Sequence, residues 1–186
     1  MRNDSKERIA TAFSALLAEK PFGKITVNNI VDVCGVHRNT FYYYFSDIPA
    51  LLDYVTEKHL DLILLRNGKV GFMNGCMVDL VEFMEKNDKA MSGIFNSMTK
   101  DELLAFADHA ATYLVDSYLK MNYDDLAIKQ DDRDMLVRIF SSGVSGIFMK
   151  WYNDHKDFDI DKDIERVGKI FSKCILQIMQ EFSENE

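Results

Sequence analysis

The stretch ITVNNIVDVCGVHRNTFYYYF, residues 25–45, decides the fold of the N-terminal part of the chain. Thr26 is a good N-cap for a short helix, and Cys34-Gly35 ends that helix. Another short helix is predicted from about 37 to 43 or 44. Two short helices joined by a glycine-containing turn of about three or four residues form a helix-turn-helix arrangement.

Residues 41–45 are all aromatic, and one helix face cannot bury them all. Three successive helical residues span about 200°, so at least one of the tyrosines at 42–44 must lie on the exposed side. Phe41 and Phe45 lie one turn apart, and we expect them, with Val36, to face inward. Their predicted core partners are Ile9, Phe13, Ile30 and Leu51.

Helices are also predicted on both sides of this arrangement. The first runs from about 5 to 19, with Asp4 and Glu7 as a capping box. The fourth begins after Asp47 and reaches about residue 65. The later helices are predicted at roughly 73–86, 88–97, 100–121, 131–153 and 161–182.

These patterns predict an all-α fold. Both prolines fall within the first 50 residues, and few strand-like alternating runs follow them.

The charge of the chain is unevenly distributed. The 186 residues carry a formal net charge of −8. Residues 1–50 hold six Lys or Arg against five Asp or Glu, so this part carries +1 and the rest carries −9. The N-terminal quarter is therefore free to approach a polyanion such as nucleic acid.

Several other classes of protein find no support in the sequence. The three cysteines are far apart and the four histidines are scattered, so we expect no disulfide framework and no metal site. No phosphate-binding glycine loop or catalytic motif occurs, and we predict no enzyme activity, no catalytic residues and no cofactor. No signal peptide and no apolar run of about 20 residues is evident, so we expect a cytoplasmic protein without a membrane partner.

The segment 25–52 resembles the N-terminal DNA-binding segment of the TetR family of transcriptional regulators. The resemblance extends over about residues 5–55. The matching positions are Ile25-Thr26-Val27, Ile30, Gly35-Val36, Thr40-Phe41-Tyr42, Phe45 and Leu51-Leu52.

This resemblance implies that the second helix of the motif contacts double-stranded DNA. Arg38 can bind a guanine edge through two hydrogen bonds, and Asn39 can read adenine. Hydroxyl groups suit phosphate oxygens, which position the protein without specifying sequence. The predicted DNA-binding residues are Thr26, Asn28, His37, Arg38, Asn39, Thr40, Tyr42, Tyr43 and Tyr44.

Two positions depart from the family pattern. His37 stands where the family usually has a serine cap, so we expect a weaker start to the third helix, and His37 is a candidate phosphate contact. Ile48 stands where a lysine commonly touches phosphate, so one cationic contact is lost.

The resemblance also implies two domains, a three-helix DNA-binding domain at residues 1–46 and a larger helical domain at residues 47–186. The larger domain is expected to bind a ligand and to form a homodimer through its last two long helices. Gly143 and Gly146 permit close approach of another helix, either within the subunit or across a dimer. An unknown small molecule is the expected effector. The candidate pocket residues, for which ordinary core packing is the alternative, are His59, Met73, Met77, Phe83, Phe106, His109, Tyr113, Phe148 and Trp151.

The sequence thus predicts a DNA-binding transcriptional regulator, a ligand-responsive repressor that binds a palindromic operator as a dimer. One alternative is a TetR-like protein that has lost DNA binding and acts through protein or ligand interactions. Ile48 and the acidic C-terminal region favour that alternative, whereas Arg38, Asn39 and Thr40 oppose it. A small-molecule enzyme is the second alternative.

Overall fold

The computed structural model describes residues 2–67, 73–124, 128–153 and 160–184, and within these ranges the chain is helical and contains no strand. The prediction of an all-α fold is confirmed. A 3-10 helix at Phe22–Lys24 follows the first α-helix. The α-helices are α1 (Arg2–Glu19), α2 (Val27–Cys34), α3 (Arg38–Tyr44), α4 (Ile48–Asn67), α5 (Met73–Lys86), α6 (Asp88–Phe95), α7 (Lys100–Tyr123), α8 (Gln130–Asn153) and α9 (Ile160–Glu184).

The helices form two compact units. The first contains Met1–Lys58 and Met84–Leu103, and the second contains His59–Phe83 and Leu104–Glu186. Helix α4 supplies residues to both units as one continuous helix. The domain boundary between residues 46 and 47 stays a prediction. No helix in the described ranges is both long and apolar enough to cross a membrane.

Local hydrogen bonds fix the helix-turn-helix. The Thr26 hydroxyl accepts a hydrogen bond from the backbone N–H of Asn29 at 3.2 Å, and the Asn29 side chain accepts one from the Thr26 N–H at 3.1 Å. Gly35 ends α2 in the left-handed region with φ 64°, and its N–H donates to the carbonyl of Val31. A side chain with a Cβ is disfavoured in that conformation. At the start of α3, His37 gives no side-chain cap, as predicted.

The capping box predicted for the first helix is wrong. Helix α1 begins at Arg2, so Asp4 lies inside its first turn and cannot be the N-cap. The Glu7 carboxylate accepts hydrogen bonds from α4 instead, from the Tyr54 hydroxyl at 2.6 Å and from the Lys58 ammonium group. The sequence did not indicate this role of Glu7, because Tyr54 and Lys58 are about fifty residues away along the chain.

The core of the first unit is aromatic and aliphatic. Helices α1, α2 and α3 pack on one another, and α6 packs on α1 and the 3-10 helix. Phe41 and Phe45 are buried, with ring centroids 5.9 Å apart, as predicted. Val36 is only half-buried. The predicted partners Ile9, Phe13, Ile30 and Leu51 are all fully buried.

The contacts of Glu7 predict how the stability of the protein depends on pH. Hydrogen bonds from Lys58 and Tyr54 lower the pKa of Glu7, so folding favours its carboxylate form. This contribution is present above the unfolded pKa of a glutamate and is lost as the pH falls through the lower folded value. Because the pair is largely solvent-exposed, its contribution is at most about 1 kcal/mol.

We therefore expect Glu7→Gln to destabilise the protein by up to about 1 kcal/mol at pH 7 and to have little effect near pH 3. Urea unfolding of both proteins at several pH values measures this difference. A constant difference across that range would contradict the assigned role of the Glu7 carboxylate.

In the second unit, α5 and α9 approach each other closely at Gly168. A Cβ added to Gly168 would lie 2.2 Å from the Cα of Asn74, so a larger residue forces the backbones apart. On α8, a Cβ at Gly143 would lie 3.0 Å from the Phe171 ring of α9. Gly143 thus serves packing within the subunit, whereas a Cβ at Gly146 would meet no atom within 4 Å.

We expect Gly168→Ala to lower the free energy of unfolding by about 1–3 kcal/mol, the usual cost of overpacking. Gly93→Ala is the matched control on α6, since its nearest atom would be the Cα of Pro21 at 3.6 Å, an ordinary contact. That variant should be neutral or more stable by about 0.5–1 kcal/mol. Thermal unfolding tests both, and equal effects of the two substitutions would contradict the close approach at Gly168.

Candidate functional site

Helix α3 has one buried face and one exposed face. Phe41 is fully buried, whereas Tyr42 and Tyr43 are 46% and 63% exposed. Arg38 and Asn39 are exposed as well. Because residues 38 and 42 lie one turn apart, their side chains share the outward face. The residues Arg38, Asn39, Tyr42 and Tyr43 are called the α3 outer face below.

Arg38 and Tyr42 are already in contact on this face. The Arg38 Nη2 donates a hydrogen bond to the Tyr42 hydroxyl at 3.1 Å, and the guanidinium carbon lies 5.5 Å from the ring centroid. The guanidinium group keeps its other N–H donors available for a base edge or a phosphate. The Tyr42 hydroxyl, which accepts from Arg38, keeps its own proton to donate. The pair therefore presents several hydrogen-bond donors and a positive charge.

The other predicted DNA-binding residues lie at the edges of this face. Thr26 and Asn28 are exposed at the start of α2, and His37 is exposed before α3. Thr40 and Tyr44 are half-buried. The Tyr44 ring packs edge-on against Tyr43 with centroids 4.9 Å apart, so the two tyrosines hold each other in position.

Two cations on α1 were missed by reasoning from the sequence. Arg8 donates to the carbonyl of Cys34 at the end of α2. The ammonium nitrogen of Lys6 lies 3.8 Å from the centroid of the Tyr54 ring on α4. From the sequence, Lys6 and Arg8 contributed only to the net charge of the N-terminal quarter. Their contacts with Tyr54 and Cys34 could not be predicted, because these partners are distant along the chain. They bring positive charge to the helices that support α3.

The second unit contains a cavity of about 920 Å³. It is lined by Asp108, His109, Thr112, Tyr113, Asp116, Lys120, Tyr123, Asp124, Ile128, Gln130, Arg133, Asp134, Val137, Arg138, Ser141, Ser142 and Met179. Most of these residues belong to α7 and α8, and most are polar.

Of the nine candidate pocket residues, His109 and Tyr113 line this cavity and the other seven do not. Met73, Met77 and Trp151 are buried core residues. The His59 and Phe83 rings pack against each other at a tilt, with centroids 4.5 Å apart, and Phe106 and Phe148 are half-buried. Apart from Tyr113, the aromatic and methionine residues that suggested an apolar pocket therefore do not line the described cavity.

Comparison with known proteins decides the family. The family of bacterial regulatory proteins named tetR matches residues 9–55. A family described as the C-terminal region of transcriptional regulators, TetR_C_8, matches residues 73–185. The chain belongs to the TetR family. It is a DNA-binding transcriptional regulator, and the matched N-terminal segment contains both α2 and α3.

A solved tetR-family structure shares the fold of this chain with little sequence identity. A tetR-family transcriptional regulator from Streptomyces coelicolor superposes with a TM-score of 0.53 at 14% identity, covering 98% of this chain and 88% of its own. The dihydroxyacetone kinase operon activator DhaS gives a TM-score of 0.49 at 16% identity, covering 96% and 98%. No curated protein sequence matches the chain.

Proposed function

We propose that this regulator binds a palindromic operator as a cytoplasmic homodimer, using the α3 outer face, and that it acts as a repressor whose DNA affinity changes when a small molecule binds. The observation that carries the proposal is the two-sided α3, in which buried Phe41 and Phe45 leave Arg38 and Tyr42 exposed. The family and the fold are those of transcriptional regulators, and we propose no catalytic role.

Each residue of the α3 outer face has a role that fits its chemistry. Arg38 can donate two parallel hydrogen bonds to the O6 and N7 atoms of a guanine, and Asn39 can pair with an adenine edge. Tyr42 and Tyr43 can donate to phosphate oxygens, as can Thr26 and Asn28 at the start of α2. Base contacts by Arg38 and Asn39 would set the sequence preference, and the hydroxyl contacts would set the orientation.

The first test needs an operator, which selection from a random DNA pool with the wild-type protein supplies. We expect Arg38→Ala to weaken binding of the selected DNA by roughly ten- to hundredfold, the value of a good bidentate base contact. Tyr42→Phe should weaken it less and leave the sequence preference unchanged, because the hydroxyl contacts phosphate. Fluorescence anisotropy at fixed salt measures both affinities.

Lys89→Ala is the matched control, since Lys89 is an exposed cation on α6 in the same unit. Its substitution removes the same charge and should leave the affinity unchanged. If the Arg38→Ala variant binds the selected DNA as tightly as the wild type does, the proposed role of the α3 outer face in DNA binding is contradicted. Failure of the wild-type protein to retain any preferred sequence would favour the alternative that DNA binding has been lost.

Exposed apolar residues on α8 and α9 support the proposed dimer. Met135 and Ile139 lie one turn apart on α8 and are 51% and 57% exposed, and Ile170 on α9 is 52% exposed. The two helices pack on each other, with the rings of Phe140 and Phe171 5.0 Å apart. Large exposed apolar side chains on adjacent helices are typical of protein interfaces. A dimer is also what a helix-turn-helix needs to read two half-sites.

Other apolar residues of α8 and α9 are already buried within the subunit. Val144, Ile164, Ile175 and Met179 belong to its core. The proposed interface therefore uses only the exposed apolar residues of α8 and α9, and it centres on Met135, Ile139 and Ile170.

We expect Ile139→Asp to convert the dimer into monomers, because a charge at a buried interface lacks a partner. Leu65→Asp is the control, since Leu65 is an exposed apolar residue on α4 in the same unit. Sedimentation equilibrium gives the mass of each variant. A monomeric wild-type protein, or equal behaviour of the two variants, would contradict the proposed interface.

A further inference from the structure

The turn between α2 and α3 is built from residues that restrain the backbone weakly. Gly35 lies at its start with φ 64°, and a glycine has no side chain to limit the backbone. Val36 is only half-buried, and His37 provides no side-chain cap for α3. Such a turn leaves the angle between the two helices weakly fixed, so a contact from another element can set it.

Arg8 on α1 makes such a contact. Its Nη2 donates a hydrogen bond to the carbonyl of Cys34, the last residue of α2, at 2.5 Å. The same nitrogen lies 3.6 Å from the point that a Cβ on Gly35 would occupy, so the guanidinium group lies directly beside the turn. A charge-assisted hydrogen bond of this kind is about twice as strong as one between neutral groups.

The location of this contact at a helix end strengthens it. The last four carbonyls of an α-helix have no intrahelical donor, and the C-terminus carries a partial negative charge. At the end of α2, the N–H groups of Gly35 and Val36 both donate to the Val31 carbonyl, at 2.8 and 3.3 Å. The Arg8 guanidinium group satisfies the Cys34 carbonyl and places a positive charge at the negative end of α2. It thus joins α1 to the point where the chain leaves α2 for α3.

The two residues before Arg8 hold the same part of α1 to α4. The Glu7 carboxylate accepts a hydrogen bond from the Tyr54 hydroxyl at 2.6 Å, and the Lys6 ammonium nitrogen lies 3.8 Å from the centroid of the same ring. Three successive residues of α1 therefore contact α4 and the end of α2. The turn is thereby joined to a segment of α1 that α4 also holds in place.

We propose that Arg8 is a positioning residue for DNA reading, because its restraint on the turn fixes the α3 outer face relative to the start of α2. The proposed phosphate contacts of Thr26 and Asn28 lie at that start, and the proposed base contact of Arg38 lies on α3. Specific binding needs both sets of contacts at once, whereas nonspecific binding needs only the phosphates. A loosened turn therefore lowers sequence preference more than general affinity. This role rests on the proposed function, whereas the restraint on the turn does not.

A direct phosphate contact is the alternative role for Arg8, which is exposed and whose hydrogen bond to Cys34 uses one of five N–H donors. Loss of a phosphate contact weakens binding to all DNA sequences alike and lowers the salt slope by about one. Loss of a positioning residue instead lowers the ratio between the affinities for the selected DNA and for a scrambled DNA of the same composition.

Amide hydrogen exchange of the full chain without DNA tests the restraint. In Arg8→Gln we expect the Gly35 and Val36 N–H groups to exchange about tenfold faster than in the wild type, the usual loss for one charge-assisted hydrogen bond. The Ile30 N–H, which donates to the Thr26 carbonyl at 3.2 Å near the other end of α2, is the internal reference and should be unaffected. Unchanged exchange at Gly35 and Val36, or an equal rise at Ile30, would overturn the proposal.

Anisotropy titrations with the selected and the scrambled DNA test the positioning role. We expect Arg8→Gln to lower the ratio of the two affinities by roughly tenfold. Lys89→Gln, which removes the same charge from α6, should leave the ratio unchanged. Partial unfolding lowers both affinities alike, so the ratio separates positioning from a loss of folded protein. An unchanged ratio in Arg8→Gln, or equal weakening with both DNAs and a salt slope reduced by about one, would overturn the positioning role.

Arg38→Ala, measured with the same two DNAs, separates this proposal from the proposed function. If Arg38→Ala loses the sequence preference and Arg8→Gln keeps it, only the role of Arg8 is overturned. If both variants keep the preference, the proposed function fails as well. The exchange measurement decides in either case whether Arg8 restrains the turn.

Discussion

The burial of Phe41 and Phe45 is the constraint on which the proposed DNA-reading surface depends. The two rings lie one helical turn apart and anchor α3 to α1 and α2 through the apolar core of the first unit. With Phe41 and Phe45 buried, Arg38 and Tyr42 remain exposed on α3. A short seven-residue helix has little stability of its own, so its position comes from this packing.

Local features of the motif were readable from the sequence because their partners are only a few residues away. The Thr26 cap, the end of α2 at Gly35 and the burial of Phe41 each follow from short-range spacing. The cap of α7 is local in the same way, since the Thr99 hydroxyl accepts from the Glu102 N–H and the Thr99 N–H donates to the Glu102 carboxylate. The long periodic helices of the C-terminal region were predictable for the same reason.

Features that depend on distant partners were not predictable. Glu7 looked like part of a capping box, but its carboxylate binds Tyr54 and Lys58. The cavity lining joins residues of α7 and α8 whose polar side chains resemble an ordinary solvated helix face in the sequence. The sequence instead suggested aromatic and methionine residues as pocket candidates, and several of them are core residues.

The central claim is that the α3 outer face meets DNA, and residue-level hydroxyl-radical footprinting tests it most directly. Oxidation of Tyr42 and Tyr43 is compared with and without the selected operator. Leu65, exposed in the other unit, serves as the internal reference. The account predicts strong protection of both tyrosines by operator DNA and none of Leu65. Equal oxidation of Tyr42 and Tyr43 in the free protein and in a saturated operator complex would contradict it.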